Sequence, residues 1–175
     1  MTTNMTSALI RPARPADGAA IAQVHVDTWR DTYAGILPDS YLVHRVRSGA
    51  RQAGWRIGAA GRTGPTETTL VAELEQVVGF ISFGPARHVL DRQIGEVYAL
   101  YVIPDAQGQG LGRGLVSVAL ERLFIGGCRA VDVEVLAANP SRHFYTAMGA
   151  RQVGQGVHDF AGQRLPVVFY RWTGA

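Results

Sequence analysis

Eight residues, Gln107-Gly108-Gln109-Gly110-Leu111-Gly112-Arg113-Gly114, place a glycine at every second position between a β-rich run and an apolar-faced helix. The run before it, Gly95 to Ile103, is rich in Val, Tyr, Leu and Ile and stops at Pro104, which cannot donate to a sheet ladder. After it, Leu111 to Phe124 carries Leu115, Val118, Ala119, Leu120 and Leu123 on a broad apolar face and ends at Gly126-Gly127. The first N–H groups of a helix have no intrahelical partner, and the helix dipole adds partial positive charge there. Small residues let an anion approach those amides closely. A pyrophosphate fits such a helix start near Gly110, and Arg113 in the first turn adds a charge-assisted contact.

Spacing narrows the ligand. A dinucleotide fingerprint needs G-x-G-x-x-G, but Arg113 stands where the third glycine belongs. A nucleoside-triphosphate loop needs G-K-[ST], and Gly112 is followed by Arg113-Gly114. Both readings are rejected.

The rest of the chain alternates strand and helix signals. Leu9-Ile10-Arg11 begins an extended segment that Pro12 and Pro15 stop, and Asp17 is placed as the N-cap of a helix over Ala19 to Trp29. A second short helix is expected over Asp39 to Arg47, followed by a loop from Gly58 to Thr66. Thr69–Leu74 and Val77–Phe83, separated by Glu75-Gln76, read as a hairpin. Ala130 to Leu136 reads as a strand, Ser141 to Met148 as a short helix, and Val153–Val157 with Val167–Trp172 as a closing strand pair. This order predicts a mixed α and β layered fold. Residues 1–7 are polar and are expected to form a flexible tail, with residues 8–175 as one domain.

Composition bounds the function. Hydrophobic residues make up 47% and charged residues 18% of the 175 residues, normal for a globular chain. The net charge is +3, with arginines scattered rather than striped, which argues against nucleic acid. No apolar run reaches the ~20 residues of a membrane span. Cys128 is the only cysteine, which fits a reducing cytoplasm. The five histidines are dispersed without metal-ligand spacing, so no metal is expected.

One pattern does match the glycine turn: Gln/Arg-x-x-Gly-x-Gly/Ala. With the preceding Leu100-Tyr101-Val102-Ile103-Pro104, it resembles the coenzyme A-binding motif of the GNAT superfamily of acetyltransferases. The likeness covers nearly the whole chain. It implies an α/β (α+β) fold: a mixed, twisted, splayed sheet of about six to seven strands flanked by about four helices. It further implies acetyl-CoA as the acetyl donor, with the pantetheine arm lying in the splay. Leu100, Tyr101 and Val102 would then bond the arm, and Gly108, Gln109, Gly110, Leu111, Gly112 and Arg113 would hold the pyrophosphate.

Two further segments carry the resemblance. Asn139 with Phe144-Tyr145 and Gly149 is similar to the family's Asn…Phe-Tyr…Gly segment, with one residue fewer than its commoner spacing, and implies a cofactor contact for Asn139. Trp29 to Pro38 resembles an N-terminal block that lines the acceptor side, which implies substrate contacts for Trp29 and Tyr33; Trp55 is a further aromatic candidate. Dimerisation through C-terminal strands is common among similar proteins.

The implied reaction moves acetyl from acetyl-CoA to the primary amine of a small molecule or peptide. It needs a base, an acid and donors for a developing oxyanion. Tyr145 stands at the family's acid position, and a phenol with pKa about 10 stays protonated at neutral pH. Glu96, eleven positions before Gln107, has a family-like placement for the base, acting directly or through water. Glu134 is its rival, since some relatives that modify protein N-termini use a glutamate at this place. By strand alternation, however, Asp132 and Glu134 share a face opposite Val131, Val133 and Val135. Two alternatives stay open: a non-catalytic coenzyme A-binding module, and another acyl group.

Overall fold

The computed structural model describes residues 8–40, 42, 43, 67–160 and 162–174. The N-terminal seven residues, most of the short helix expected over 39–47, Trp55 and the 58–66 loop lie outside these. One seven-stranded sheet organises the rest, in the order β1-β2-β3-β4-β5-β7-β6. Its strands are β1 (Leu9–Pro12), β2 (Thr68–Glu73), β3 (Val77–Pro85), β4 (Ile94–Val102), β5 (Ala130–Leu136), β6 (Arg151–Phe160) and β7 (Gln163–Thr173). The helices are α1 (Gly18–Tyr33), α2 (Leu111–Ile125) and α3 (Arg142–Ala147). All pairings are antiparallel except β4 with β5.

Each face of the sheet is covered because its strands alternate apolar residues to both sides. On one face Leu115, Val116 and Ala119 of α2 are fully buried against Leu70, Ile81, Val97 and Val131. Burying an aliphatic side chain of this kind stabilises by about 1.5–3 kcal/mol. On the other face Ile21 and Val24 of α1 meet Val71 and Phe80. A third cluster joins Leu37 and Leu42 to Leu136 and Val167 beneath Trp29, Tyr33 and Phe160.

Three local expectations are refined. Helix α1 runs to Tyr33, beyond the expected Trp29. Asp17 precedes it in a 3-10 turn but makes no cap bond into it: its carboxylate accepts the Arg14 N–H at 2.6 Å and the Arg11 guanidinium at 2.7 and 2.9 Å. Pairing the half-buried Arg11 with the buried Asp17 outweighs the single cap bond. Strands β6 and β7 are longer than expected, and β7 lies between β5 and β6, so the last two strands do not add to the sheet in chain order.

The feature that creates a site is in β4. Ser82 pairs with Ala99 and Phe83 with Val97, which leaves Tyr98 as an extra, bulged residue. A bulge bends its strand and sharpens the twist. The parallel pairing of β4 with β5 ends at Val97 and Val133, beside the bulge. Beyond it the two strands part.

Candidate active site

The parting of β4 from β5 opens a cavity of about 570 Å³. Its walls combine residues from both faces of the sheet. Phe144, Tyr145, Val133 and Val135 come from the α2 side, and Trp29, Tyr33, Ala99, Tyr101 and Leu136 from the α1 side. The gap therefore passes through the sheet and lets two reactants meet from opposite faces.

The backbone along the gap is open. Ile103 N–H donates to Val78 O across β3 at 2.9 Å. Successive residues of a strand point their peptide groups to opposite sides, so Leu100 and Val102 turn theirs toward the gap. The Val102 carbonyl accepts the Gln107 side-chain amide at 2.9 Å. This bond gives Gln107 its role: it pins the glycine turn to the end of β4.

At the far end Gly108 and Gly110 have φ of 74° and 82°, the left-handed region where glycine alone is unstrained. These angles aim the start of α2 into the cavity, and Gly108, Gly110, Leu111, Gly112 and Arg113 line it. Arg113 is exposed. Gln109 is not among the lining residues; its side-chain amide donates to the Asp105 carbonyl at 3.3 Å. Unpaired strand amides leading to a helix start with a cation beside it suit a ligand whose extended arm is joined to a pyrophosphate, as in coenzyme A.

Tyr145 faces this cavity from α3. Its ring is held by Tyr170 and Trp172 at centroid distances of 6.1 and 6.0 Å. Burial pushes the phenol well above its ordinary pKa, so it keeps its proton. Among the described residues no hydrogen-bond partner holds its hydroxyl. Asn139 lines the cavity too, but both ends of its amide are used within the chain. Its Oδ1 accepts the Ser141 N–H at 2.9 Å, and its Nδ2 donates to the Tyr33 hydroxyl at 3.4 Å.

On the α1 side Trp29 Nε1–H donates to the Tyr101 hydroxyl at 2.9 Å, and the Trp29 and Tyr33 rings lie 4.8 Å apart. Burial raises the pKa of Tyr101 and of Tyr33. Thr28, 4% exposed, lines the same wall, and its buried hydroxyl oxygen has no partner among the described residues. Nothing in the sequence singled it out.

The two carboxylates expected as rivals are separated by the fold. Glu96 does not line the cavity. It is buried beside Asp132, its parallel partner, and accepts the Arg87 backbone N–H at 2.7 Å and the Arg87 guanidinium at 2.8 Å. His88 bridges Glu96 at 3.5 Å and Asp132 at 3.1 Å, while Arg171 binds Asp132 at 2.6 and 2.8 Å. Glu134 does line the cavity, as its one carboxylate among the described residues, and bonds the His158 Nδ1 at 2.8 Å. Sequence alternation had already put Glu134 and Asp132 on the face opposite the valines. It had no signal for Arg87, His88 or His158, which arrive from distant loops and strands.

Among the described residues no group of His, Cys, Asp or Glu could hold a metal ion, and no helix is long and apolar enough to cross a membrane.

The family model for the acetyltransferase (GNAT) family matches residues 22–150. The N-acetyltransferase YuaI of Bacillus subtilis (strain 168) is 35% identical over 165 residues, spanning 93% of this chain and 91% of its own. PaiA N-acetyltransferase from Thermoplasma acidophilum, solved in complex with coenzyme A, shares the fold with a TM-score of 0.73, 19% identity and coverage of 96% of this chain and 99% of its own. Ribosomal-protein-alanine N-acetyltransferase from Brucella melitensis superposes with a TM-score of 0.67 and 26% identity, over 94% of this chain and 99% of its own.

Proposed function

Because the chain belongs to the acetyltransferase (GNAT) family and is an acyltransferase, we propose that it transfers the acetyl group of acetyl-CoA to a primary amine by direct attack. The observation that carries this reading is the gap through the sheet. It runs from the start of α2 to Tyr145 and opens toward Trp29, Tyr33 and Glu134 on the opposite face.

Bound acetyl-CoA supplies a thioester-activated acetyl group. The open peptide groups of Leu100 and Val102 and the first amides of α2 hold its arm and phosphates, with Arg113 adding charge. Tyr145 Oη carries the proton that the departing sulfur needs, and burial keeps that proton in place at neutral pH. The amine enters from the α1 side, along the wall made by Trp29 and Tyr33. Its ammonium form is inert until it loses a proton, and Glu134 is the carboxylate positioned to take it. Glu96 is tied to Arg87 in a folded-state charge cluster and supports the wall from behind.

The test is thiol release from acetyl-CoA with a panel of tryptamine, phenethylamine, spermidine and an alanine-starting tripeptide. It is run on the wild type, Tyr145→Phe, Glu134→Gln and Glu96→Gln. Turnover with at least one amine, reduced about 10–100-fold in Tyr145→Phe and in Glu134→Gln, supports the reading. Tight acetyl-CoA binding without thiol release for any amine makes the chain a binding module. A loss confined to Glu96→Gln returns the base to Glu96.

A further inference from the structure

Charge is sparse along the cavity. Among the described residues its lining carries two charged side chains, Arg113 at the start of α2 and Glu134 on β5. Strand β5 turns Val133 and Val135 toward α2, so Glu134 and Leu136 face the α1 side. Three rings stand with them on that side: Trp29, Tyr33 and Phe160. Each is half-buried, so each presents surface to the cavity as well as to the core.

The rings are also tied in place. The Trp29 Nε1–H donates to Tyr101 Oη on β4 at 2.9 Å, and Tyr33 Oη accepts from Asn139 Nδ2 at 3.4 Å. The Phe160 ring packs on the His158 imidazole at 4.8 Å, and His158 Nδ1–H donates to Glu134 Oε1 at 2.8 Å. These ties, made to separate parts of the fold, hold the rings around one carboxylate before any ligand arrives. Walls ordered in advance lower the cost of binding.

We propose that the α1 side of the cavity is a site for a monoamine carried on an aromatic body, an arylalkylamine; as an acceptor site it rests on the acetyl-transfer reading. Glu134 meets the single ammonium, and the flanking rings pack on a flat ring with directional gains that a saturated body lacks. A polyamine brings further ammonium groups, and the described lining offers no second carboxylate to them. Taking them from water unpaired is costly. An amino acid brings a carboxylate into the reach of Glu134, a like charge, while Arg113 stands away at the helix start. A peptide repeats an amide at every residue, and aromatic walls leave those amides without partners.

The test pairs calorimetry of amine binding to the coenzyme A-saturated protein with thiol release from acetyl-CoA. Phenethylamine and tryptamine are compared with 2-cyclohexylethylamine, phenylalanine, spermidine and the alanine-starting tripeptide. Phenylalanine differs from phenethylamine by its carboxylate alone, and is expected to bind about 100-fold more weakly. Spermidine and the tripeptide are expected to bind about tenfold or more weakly than tryptamine. The ratio of phenethylamine to 2-cyclohexylethylamine affinity is expected to fall about threefold in at least one of Trp29→Leu and Phe160→Leu. Loss of folded protein cancels in that ratio. A ratio unchanged in both variants overturns the proposal. So does phenylalanine, spermidine or the tripeptide binding as tightly as phenethylamine, or no binding of either aromatic amine. If thiol is released fastest with one of those three competitors, this inference fails and acetyl transfer stands. If the aromatic amines bind with the expected selectivity but no amine releases thiol, acetyl transfer fails and the aromatic-amine site stands.

Discussion

Val97 pairs with Val133, and this is the last rung of the β4–β5 ladder. The next residue of β4, Tyr98, is the bulge. Pairing stops and the strand bends at one place, so a regular parallel pair becomes a gap wide enough for a ligand. The Tyr98 hydroxyl donates to the Pro85 carbonyl at 2.6 Å, and the Arg87 guanidinium covers its ring at 4.0 Å, which holds the bulge to the β3–β4 loop.

Amide exchange reads this geometry directly. Tyr101 and Ala99 turn their N–H groups to β3, and Leu100 and Val102 turn theirs to the gap. In the ligand-free protein, Leu100 and Val102 amides are expected to exchange at least about tenfold faster than those of Ala99 and Tyr101, measured by NMR. Adding coenzyme A is expected to slow the first pair selectively. Equal exchange in all four residues would show that the gap is closed in solution.

Gly110 begins α2 at φ 82°, and a Cβ there meets nothing within 4 Å. Space is therefore free and conformation is the whole constraint. Gly110→Ala is expected to cost about 1–2 kcal/mol in the native turn and to weaken coenzyme A by about tenfold or more, measured by calorimetry. Gly110→Asn, which tolerates this region better, is expected to lose less. Affinity equal to wild type in the alanine variant would mean that the turn is not where the phosphates sit.

Tyr145→Phe removes a hydroxyl that faces the cavity and keeps the ring between Tyr170 and Trp172. The melting temperature is expected to stay within a few degrees of wild type, because no internal hydrogen bond is lost. Acetyl-CoA KM is expected to change little while kcat falls, the pattern of a group that acts only as the sulfur departs. A raised KM with unchanged kcat would assign the phenol to ground-state binding.

His25 gives the fold a pH dependence. It lies among Trp29 and Tyr101, its Nδ1 is buried without a partner among the described residues, and burial pulls its pKa from 6.5 down to about 4. The unfolded chain thus binds this proton more readily than the native state. Stability from keeping His25 neutral is fully present above about pH 6.5 and is lost as pH falls toward about 4. The loss reaches roughly 3 kcal/mol at the acid end. Urea melts at pH 7 and pH 4.5 are expected to show a smaller acid loss for His25→Phe than for wild type. Equal losses would place the acid sensitivity elsewhere.

Much of the machinery is local and was legible. The run ending at Pro104, the glycine turn and the helix behind it are contiguous, so residue type and spacing describe the whole candidate anion-binding unit. Tyr145 is legible for the same reason, lying six residues after Asn139 in the short helix that follows it. The base was not. Glu96 and Glu134 each sit on a strand, and which one opens onto the cavity depends on Tyr98. Before the bulge Val97 faces α2; after it Leu100 and Val102 face α2, and Ala99 and Tyr101 face α1. A strict alternation would put Val97, Ala99 and Tyr101 together.

What the amino-acid order determined by itself is therefore the set of elements and the chemistry of the turn, because both arise from neighbours in the chain: hydrophobic period, proline, and glycine's access to positive φ. The tertiary structure decided which carboxylate lines the cavity. Arg87 and His88 come from a loop to occupy Glu96, and β7 inserts between β5 and β6 so that His158 reaches Glu134. Those contacts are set by strand order and register, which depend on pairing between segments that the local sequence does not specify.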